Sequence, residues 1–211
     1  MPRRRRVTPD QILNAAALEF AERGFAGARV DRIARRAHVN KAMLYYHFKS
    51  KQALYRALLR RVFSLAAERV QAIAGGAGLA GDKLDRAIVA FRDLVRDQSF
   101  FPAIMLREVA EGGTHLDPET LAVLAGVPRA FGSIVAQGVA AGEFREVNPL
   151  FAYFGLVTPI VFFLCAAPIR QELDARRLIA PAIMGTPDDF IRHMQASTRR
   201  ALAPDPPDSP R

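Results

Sequence analysis

Cysteine occurs once in this chain of 211 residues, at Cys165. A single thiol excludes an intramolecular disulfide and fits a reducing, cytoplasmic setting. Acidic residues are scarce in one region: residues 1–61 hold 15 Lys and Arg against 4 Asp and Glu, a balance of +11. The remaining 150 residues hold 15 basic and 17 acidic, a balance of −2. The net charge of +9 is therefore confined to the first third, the pattern of a local polyanion-binding module. Alternating apolar–polar stretches and internal repeats are missing, and no apolar core follows the basic "MPRRRR". No β-sheet and no secretory signal are expected. No nucleophile–base pair or paired-carboxylate constellation stands out, so no enzyme, no catalytic residue and no cofactor is expected.

What is present is hydrophobic and helical. Half the residues are hydrophobic, enough for a substantial core. Thr8-Pro9-Asp10-Gln11 reads as a capping box, with Thr8 as N-cap and Pro9 in the first turn. Ile12, Leu13, Ala16, Ala17 and Phe20 follow at helical spacing, and Gly24 is the expected stop. Val30, Ile33, Ala34 and Ala37 mark a short second helix. Asn40 is a good N-cap for a third that Phe48 closes, and Ser50 for a fourth with Leu54, Leu58, Val62 and Leu65 on one stripe. "AIAGGAGLAG" (72–81) has no strand before it and no Lys-Ser/Thr after it, so it reads as a connector, not a phosphate loop. Further helices are expected at about 83–97, 100–111, 118–141, 148–167, 170–180 and 187–202, followed by a Pro-rich tail.

The stretch "NKAMLYYHFKSKQAL" (40–54) carries the most chemistry. With Leu44 facing inward, helical geometry turns Ala42 and Tyr46 outward and puts Met43 and Tyr45 on the flanks. Asn40 and Lys41 fall in the first turn, the part that a groove-entering helix offers to base edges. A small Ala42 lets the helix axis approach closely, and Tyr45, His47, Lys49 and Lys51 supply donors suited to phosphates. Two short helices with a tight turn between them make a helix-turn-helix.

Residues 8–54 resemble the N-terminal DNA-binding domain of the TetR family of transcriptional regulators, through "ALEFAERGF" (17–25), "VDRIARRAHV" (30–39) and "LYYHFKSKQAL" (44–54). The resemblance implies an all-α protein. Its three-helix helix-turn-helix head would be fixed by the fourth helix to a larger helical ligand-binding and dimerisation domain. On that pattern residues 1–7 are a basic arm, 8–54 the head, 55–202 the body and 203–211 a disordered tail. It also implies phosphate contacts from Tyr45 and Lys51, often from His47, and base contacts from positions 40–43. Two positions depart from the pattern. Arg29 replaces the usual Ser or Thr before the second helix; it cannot accept a capping hydrogen bond but can hold a phosphate. His38 replaces the usual Gly of the turn, where a left-handed backbone costs His more than Gly. The Arg3–Arg6 cluster is read as a phosphate contact.

The body is less explicit. Phe91, Phe100, Met105, Arg107, Phe131, Phe154, Thr158 and Phe162 are the candidate lining of an apolar ligand pocket. The run 147–169 has 23 residues without a charge, but Pro149, Pro159 and Pro168 break it, so a helix buried on all sides is expected in preference to a membrane span. Its two apolar faces call for two partners. Tyr153, Leu156, Ile160 and Leu164, with Phe190, Met194 and Ser197 of the last helix, are the expected dimer interface. Glu108, Glu111 and His115 loosely resemble metal-ligand spacing, but Gly112-Gly113 should end the helix before His115, and no metal site is expected. The expected partners are a pseudo-palindromic double-stranded DNA operator, a small apolar or aromatic ligand and a second copy of the chain, and no membrane. The expected function is ligand-released repression. A membrane-associated basic protein or an α-helical enzyme built on Glu108 or Glu111 is the rival.

Overall fold

The computed structural model describes residues 8–204, apart from the side chains of Pro181 and Ala182. The basic arm of residues 1–7, with Arg3–Arg6, and the tail from residue 205 lie outside the described residues. Among the described residues every regular element is an α-helix. These are α1 (Pro9–Gly27), α2 (Val30–Arg36), α3 (Lys41–Phe48), α4 (Lys51–Gly75), α5 (Ala80–Asp97), α6 (Phe101–Ala110), α7 (Pro118–Leu124), α8 (Gly126–Ala140), α9 (Pro149–Cys165), α10 (Ala167–Ala175), α11 (Pro181–Met184) and α12 (Pro187–Leu202).

Local chemistry sets most of these limits. Thr8 Oγ1 accepts the Gln11 N–H at 3.4 Å while Gln11 Oε1 accepts the Thr8 N–H at 3.3 Å, the reciprocal box that starts α1. Gly24 does not stop α1 outright. It takes φ +67° and ψ 176°, kinking the chain before a last turn to Gly27. The single helix expected over 118–141 is two, because Pro128 has no N–H to give to the Leu124 carbonyl. The Gly-rich connector shrinks to 76–79, since Glu143 accepts the Ala80 and Gly81 N–H groups at 3.0 and 3.1 Å and so starts α5 early.

The chain divides into two compact units. The first holds residues up to Phe63 together with Gln98–Val123; the second holds Ser64–Asp97 and everything from Leu124 on. The division falls inside α4, not at the 54/55 junction, and α6 with the loop after it belongs to the first unit. Long-range bonds explain this. Tyr55 donates to Glu108 at 2.8 Å, Arg56 to the His115 carbonyl at 2.9 Å and Arg60 to Thr120 at 3.1 Å.

In the first unit Ile12, Ala16 and Phe20 of α1 meet Ile33 of α2, Leu44 of α3 and Leu54 and Leu58 of α4 in a fully buried core. Each large side chain so buried contributes roughly 1.5–3 kcal/mol. In the second, Leu84, Ile88 and Phe91 of α5 pack with Phe131 and Ile134 of α8, Leu156 and Ile160 of α9, and Ile191 and Met194 of α12. By length and hydropathy alone, the run Pro118–Ala140 and the bent α9–α10 pair are long enough to cross a bilayer. One face of α9 is nevertheless built into this protein core.

The start of α2 shows how Arg29 is tolerated. Glu19 of α1, buried, turns its carboxylate to the Arg29 N–H at 3.3 Å and lies 3.8–3.9 Å from the guanidinium groups of Arg32 and Arg23. A carboxylate from a neighbouring helix thus takes the N-cap residue's own N–H, the bond that the N3 side chain makes in a capping box, while no side chain among the described residues accepts from the N2 or N3 N–H. His38 occupies the left-handed region at φ +55°, as the turn requires. Replacing Glu19 with Ala removes the acceptor of a part-buried N–H and leaves a cavity where the buried side chain was, and should lower the unfolding free energy by about 1–3 kcal/mol. Replacing His38 with Gly should raise it by up to about 1 kcal/mol. Chemical denaturation of the two variants, followed by circular dichroism, checks both signs.

Candidate nucleic-acid interface

α3 is eight residues long, about 12 Å at 1.5 Å per residue, and an α-helix with its side chains, about 10–12 Å across, fits the width of a DNA major groove. Asn40 begins it by accepting the Met43 N–H on Oδ1 at 2.7 Å, which leaves its amide N–H groups for other partners. Leu44 is fully buried and pins the helix to the core of the first unit. Opposite it, Tyr46 is 71%, Met43 40% and Tyr45 38% exposed, with Ala42 exposed between them. His47 is half-buried and meets the Tyr46 ring edge-on, with 5.3 Å between centroids.

The charges around this face differ in availability. Lys41 Nζ sits 3.0 Å from Asp31, whose hydrogen bond and charge hold its ammonium above the usual lysine range. Lys49 donates to the Tyr46 carbonyl at 3.2 Å and lies 5.6 Å from that ring, on the exposed end of α3. Arg36 forks onto Glu22, which lowers that carboxylate's pKa. Among the described residues nothing partners the side chains of Arg29 and Arg35, and both are exposed.

Lys51 departs from expectation. Its ammonium reaches the carbonyls of Phe25 at 2.9 Å, Ala28 at 3.2 Å and Ala26 at 3.5 Å, and rests 4.5 Å from the Phe25 ring centroid. Three donors on three carbonyls leave none for a phosphate. Lys51 therefore caps the end of α1. Arg107 departs likewise: its guanidinium binds the Phe20 carbonyl at 3.0 Å and the Ala21 carbonyl, so it is a second cap of α1 and not a ligand-orienting group.

The expected pocket residues divide between the two units. Phe100, Met105 and Arg107 belong to the first unit; Phe91, Phe131, Phe154, Thr158 and Phe162 belong to the second. Phe91 and Phe131 are core residues, edge-on to each other at 6.4 Å. The enclosed space bounded by Phe131, Tyr153 and Leu156 measures about 10 Å³, no more than a water's worth.

On α9 the two faces are exchanged relative to expectation. Leu156 and Ile160, expected at the dimer interface, are buried in the core of the second unit, as is Met194. Tyr153 packs on Phe131 at 5.7 Å, and burial pushes its phenol up to about 12. Leu164 and Ser197 are half-buried, and Phe190 stacks on Phe163 at 4.0 Å. The exposed stripe is Phe151 at 71%, Phe154 at 55% and Phe162 at 65%, with Gly155 and Thr158 between them. α9 is thus not buried on all sides. Beside the stripe an open groove of about 290 Å³ runs between α9 and α12, lined by Phe151, Gly155, Ser197, Thr198 and Ala201 among others.

Glu19, Asp31 and Tyr55 were not singled out by the sequence reading. A helical wheel for Glu19 would have shown a charged residue on the buried side of α1; the other two carry no local signal.

Comparison with known proteins adds to this geometry. Residues 12–58 match the family model described as bacterial regulatory proteins, tetR family. The chain is 46% identical over 54 residues to the HTH-type transcriptional regulator RutR of Escherichia coli, covering 26% of each chain. It is 51% identical over 51 residues to the HTH-type transcriptional activator FasR of Mycolicibacterium smegmatis, covering 24% of this chain and 23% of FasR. Both matches span only about a quarter of those proteins. In fold the likeness runs further. A tetR-family bacterial regulatory protein from Rhodococcus aligns with a TM-score of 0.73 at 18% identity, covering 94% of this chain and 98% of that one. The fatty acid degradation regulator FadR of Bacillus halodurans aligns with a TM-score of 0.70 at 15% identity, covering 92% and 100%. Residues 12–58 thus match the DNA-binding head of the TetR family of transcriptional regulators, and the described residues share the all-helical fold of solved tetR-family structures.

Proposed function

We propose that this protein is a homodimeric, sequence-specific DNA-binding transcriptional regulator of the cytoplasm, a repressor released from its operator by an apolar or aromatic small molecule. The observation that carries the reading is the outward face of α3. A short helix exposes Ala42, Met43, Tyr45 and Tyr46, with Lys49 at its end and the exposed Arg29 and Arg35 in the same unit, within a segment of balance +11. Asn40, Lys41, Ala42 and Met43 are the proposed base readers. Arg29, Tyr45, Tyr46, His47 and Lys49 are the proposed phosphate contacts. Two heads of a symmetric dimer would read half-sites roughly 34–36 Å apart.

The proposed dimer surface is the Phe151–Phe154–Phe162 stripe with the adjoining α9–α12 groove. Three exposed phenylalanines on one helix face are more than a monomer surface ordinarily tolerates, and a second copy of the same face would cover them isologously. The proposed effector has to open the packing around Phe131 and Tyr153, since the space there admits about one water. It would then favour an altered conformation, and only differential affinity for such a state can release DNA.

Selection of DNA from a random pool by the purified protein, with and without apolar candidate ligands, tests the whole reading; recovery of no consensus would sink it. Arg29→Ala should weaken binding equally on all sequences and lower the salt slope by about one, while Met43→Ala should change base preference at an unchanged slope. Asp31→Asn releases Lys41 and should tighten binding a few-fold, measured by fluorescence anisotropy at fixed salt. Phe154→Glu with Phe162→Glu should convert the dimer to a folded monomer in sedimentation velocity, because both rings are outside the core of their own chain.

A further inference from the structure

The first unit holds a second cluster that the DNA-binding reading does not use. α6 ends at Ala110, and the next turn is made by two glycines in the left-handed region, Gly112 at φ +69° and Gly113 at φ +71°. The Gly113 N–H bonds back to the Glu108 carbonyl at 2.7 Å, and the Leu116 N–H to the Gly113 carbonyl at 3.0 Å. The glycines expected to separate His115 from the helix instead fold it back over the helix end. His115 Nδ1 comes to rest 2.7 Å from Glu108 Oε1 and 3.4 Å from Glu111 Oε2. One donor atom from each of the three residues lies within 4.8 Å of the other two.

The surroundings leave this cluster short of positive charge. Glu108 is 1% exposed, and its Oε1 takes both His115 and the Tyr55 hydroxyl. Its Oε2 is buried with no hydrogen-bond partner among the described residues. A buried carboxylate oxygen without a partner costs several kcal/mol in general and calls for an explanation. The neighbouring guanidinium groups are engaged elsewhere: Arg107 on the carbonyls of α1, Arg56 on the His115 carbonyl and on Asp117. The imidazole is held from behind by the Phe25 ring, 4.1 Å away, so its Nδ1 edge is fixed toward the two carboxylates.

We propose that Glu108, Glu111 and His115 form a binding site for a divalent first-row transition ion of the zinc, cobalt or manganese kind. One imidazole nitrogen and two carboxylate oxygens suit such ions. Magnesium and calcium take all-oxygen sets, and a copper(I) site would need thiolate or thioether ligands. Zinc with ligands at about 2.0–2.2 Å places tetrahedral donors roughly 3.4 Å apart, which is the present His115–Glu111 separation. The shorter His115–Glu108 contact is a hydrogen bond; an ion bound to Nδ1 takes the place of its proton, which goes to Nε2 or to solvent. Three protein ligands leave at least one position open to water. The site is independent of the DNA-binding reading, since all its ligands lie on α6 and the loop that follows.

The test uses the full chain stripped of metal with a chelator. Titration with Co²⁺ should produce visible d–d absorption that saturates at one equivalent per chain, and Zn²⁺ should displace it. Zn²⁺ should also raise the melting temperature, whereas Mg²⁺ at the same concentration should not. His115→Ala with Glu111→Gln should abolish the absorption and the Zn²⁺-induced shift, the shift being read against the variant's own metal-free melting curve and circular dichroism showing that it is folded. Absence of Co²⁺ absorption at millimolar ion overturns the proposal. So does absorption that survives in the double variant, which would assign the ion to His38, His47 or His193.

Discussion

The carboxyl end of α1 needs hydrogen-bond donors, and the first unit is organised around supplying them. A helix leaves its last carbonyls without intrahelical partners, and here the kink at Gly24 adds to the number exposed. Two cations distant in sequence meet them. Lys51, at the first position of α4, takes the carbonyls of Phe25, Ala26 and Ala28; Arg107 of α6 takes those of Phe20 and Ala21. Each places positive charge at the negative end of the helix dipole. The two bonds also fix where α4 begins and where α6 lies against α1. Ser50, whose hydroxyl accepts the Ala53 N–H at 3.0 Å, then ties the end of α3 to the same start. The orientation of the recognition face therefore follows from how the end of another helix is satisfied.

A matching device operates at the start of α2. With Arg29 at the N-cap no side chain among the described residues caps the first turn of α2, and the N–H of Arg29 itself is met by the buried Glu19 carboxylate. Burying a carboxylate is costly unless it is hydrogen-bonded and paired, and Glu19 has both the amide and two guanidinium groups beside it. The exchange frees the Arg29 side chain to point to solvent, next to α3.

How far the sequence foretold this depends on the range of the interaction. The capping box at Thr8, the Asn40 cap and the inward Leu44 are set within four residues, and helical periodicity is enough to read them. The left-handed His38 was legible for the same reason, as a turn position. The bonds of Lys51 and Arg107 to α1 were not legible, because their partners lie 23 and more residues away, where spacing says nothing about who meets whom. α9 was misread differently. Its period correctly sorted Leu156 and Ile160 from Phe154 and Phe162, but two equally apolar faces carry no label saying which one meets the core. Small Ala130, buried among the large side chains of the second unit, is the kind of complementarity that decides it, and that is a property of the partner helix. The end of α6 before His115 was legible in Gly112-Gly113, but not that this pair, in the left-handed region, returns His115 to Glu108.

The same accounting alters what the +11 of the first 61 residues means. Arg32 and Arg23 serve Glu19, Arg36 serves Glu22, Arg61 reaches Asp10 and Asn14, and Arg56 and Arg60 pair with Asp117. Lys51 is engaged with carbonyls, and Lys41 is held by Asp31. Long-range attraction of a polyanion depends on the summed charge, paired or not, and Asp117 and Glu119, outside the first 61 residues, lower that sum without reversing it. Contact is a different quantity. Counterion release scales with the number of phosphates actually neutralised, and each internally bonded cation has to break a partner before it counts. Within the described residues of the head, Arg29, Arg35 and Lys49 are the cations that reach a phosphate at least cost. The segment is therefore strongly attractive at a distance and sparing in contact. Such a division favours rapid encounter with any duplex and leaves discrimination to the uncharged face of α3.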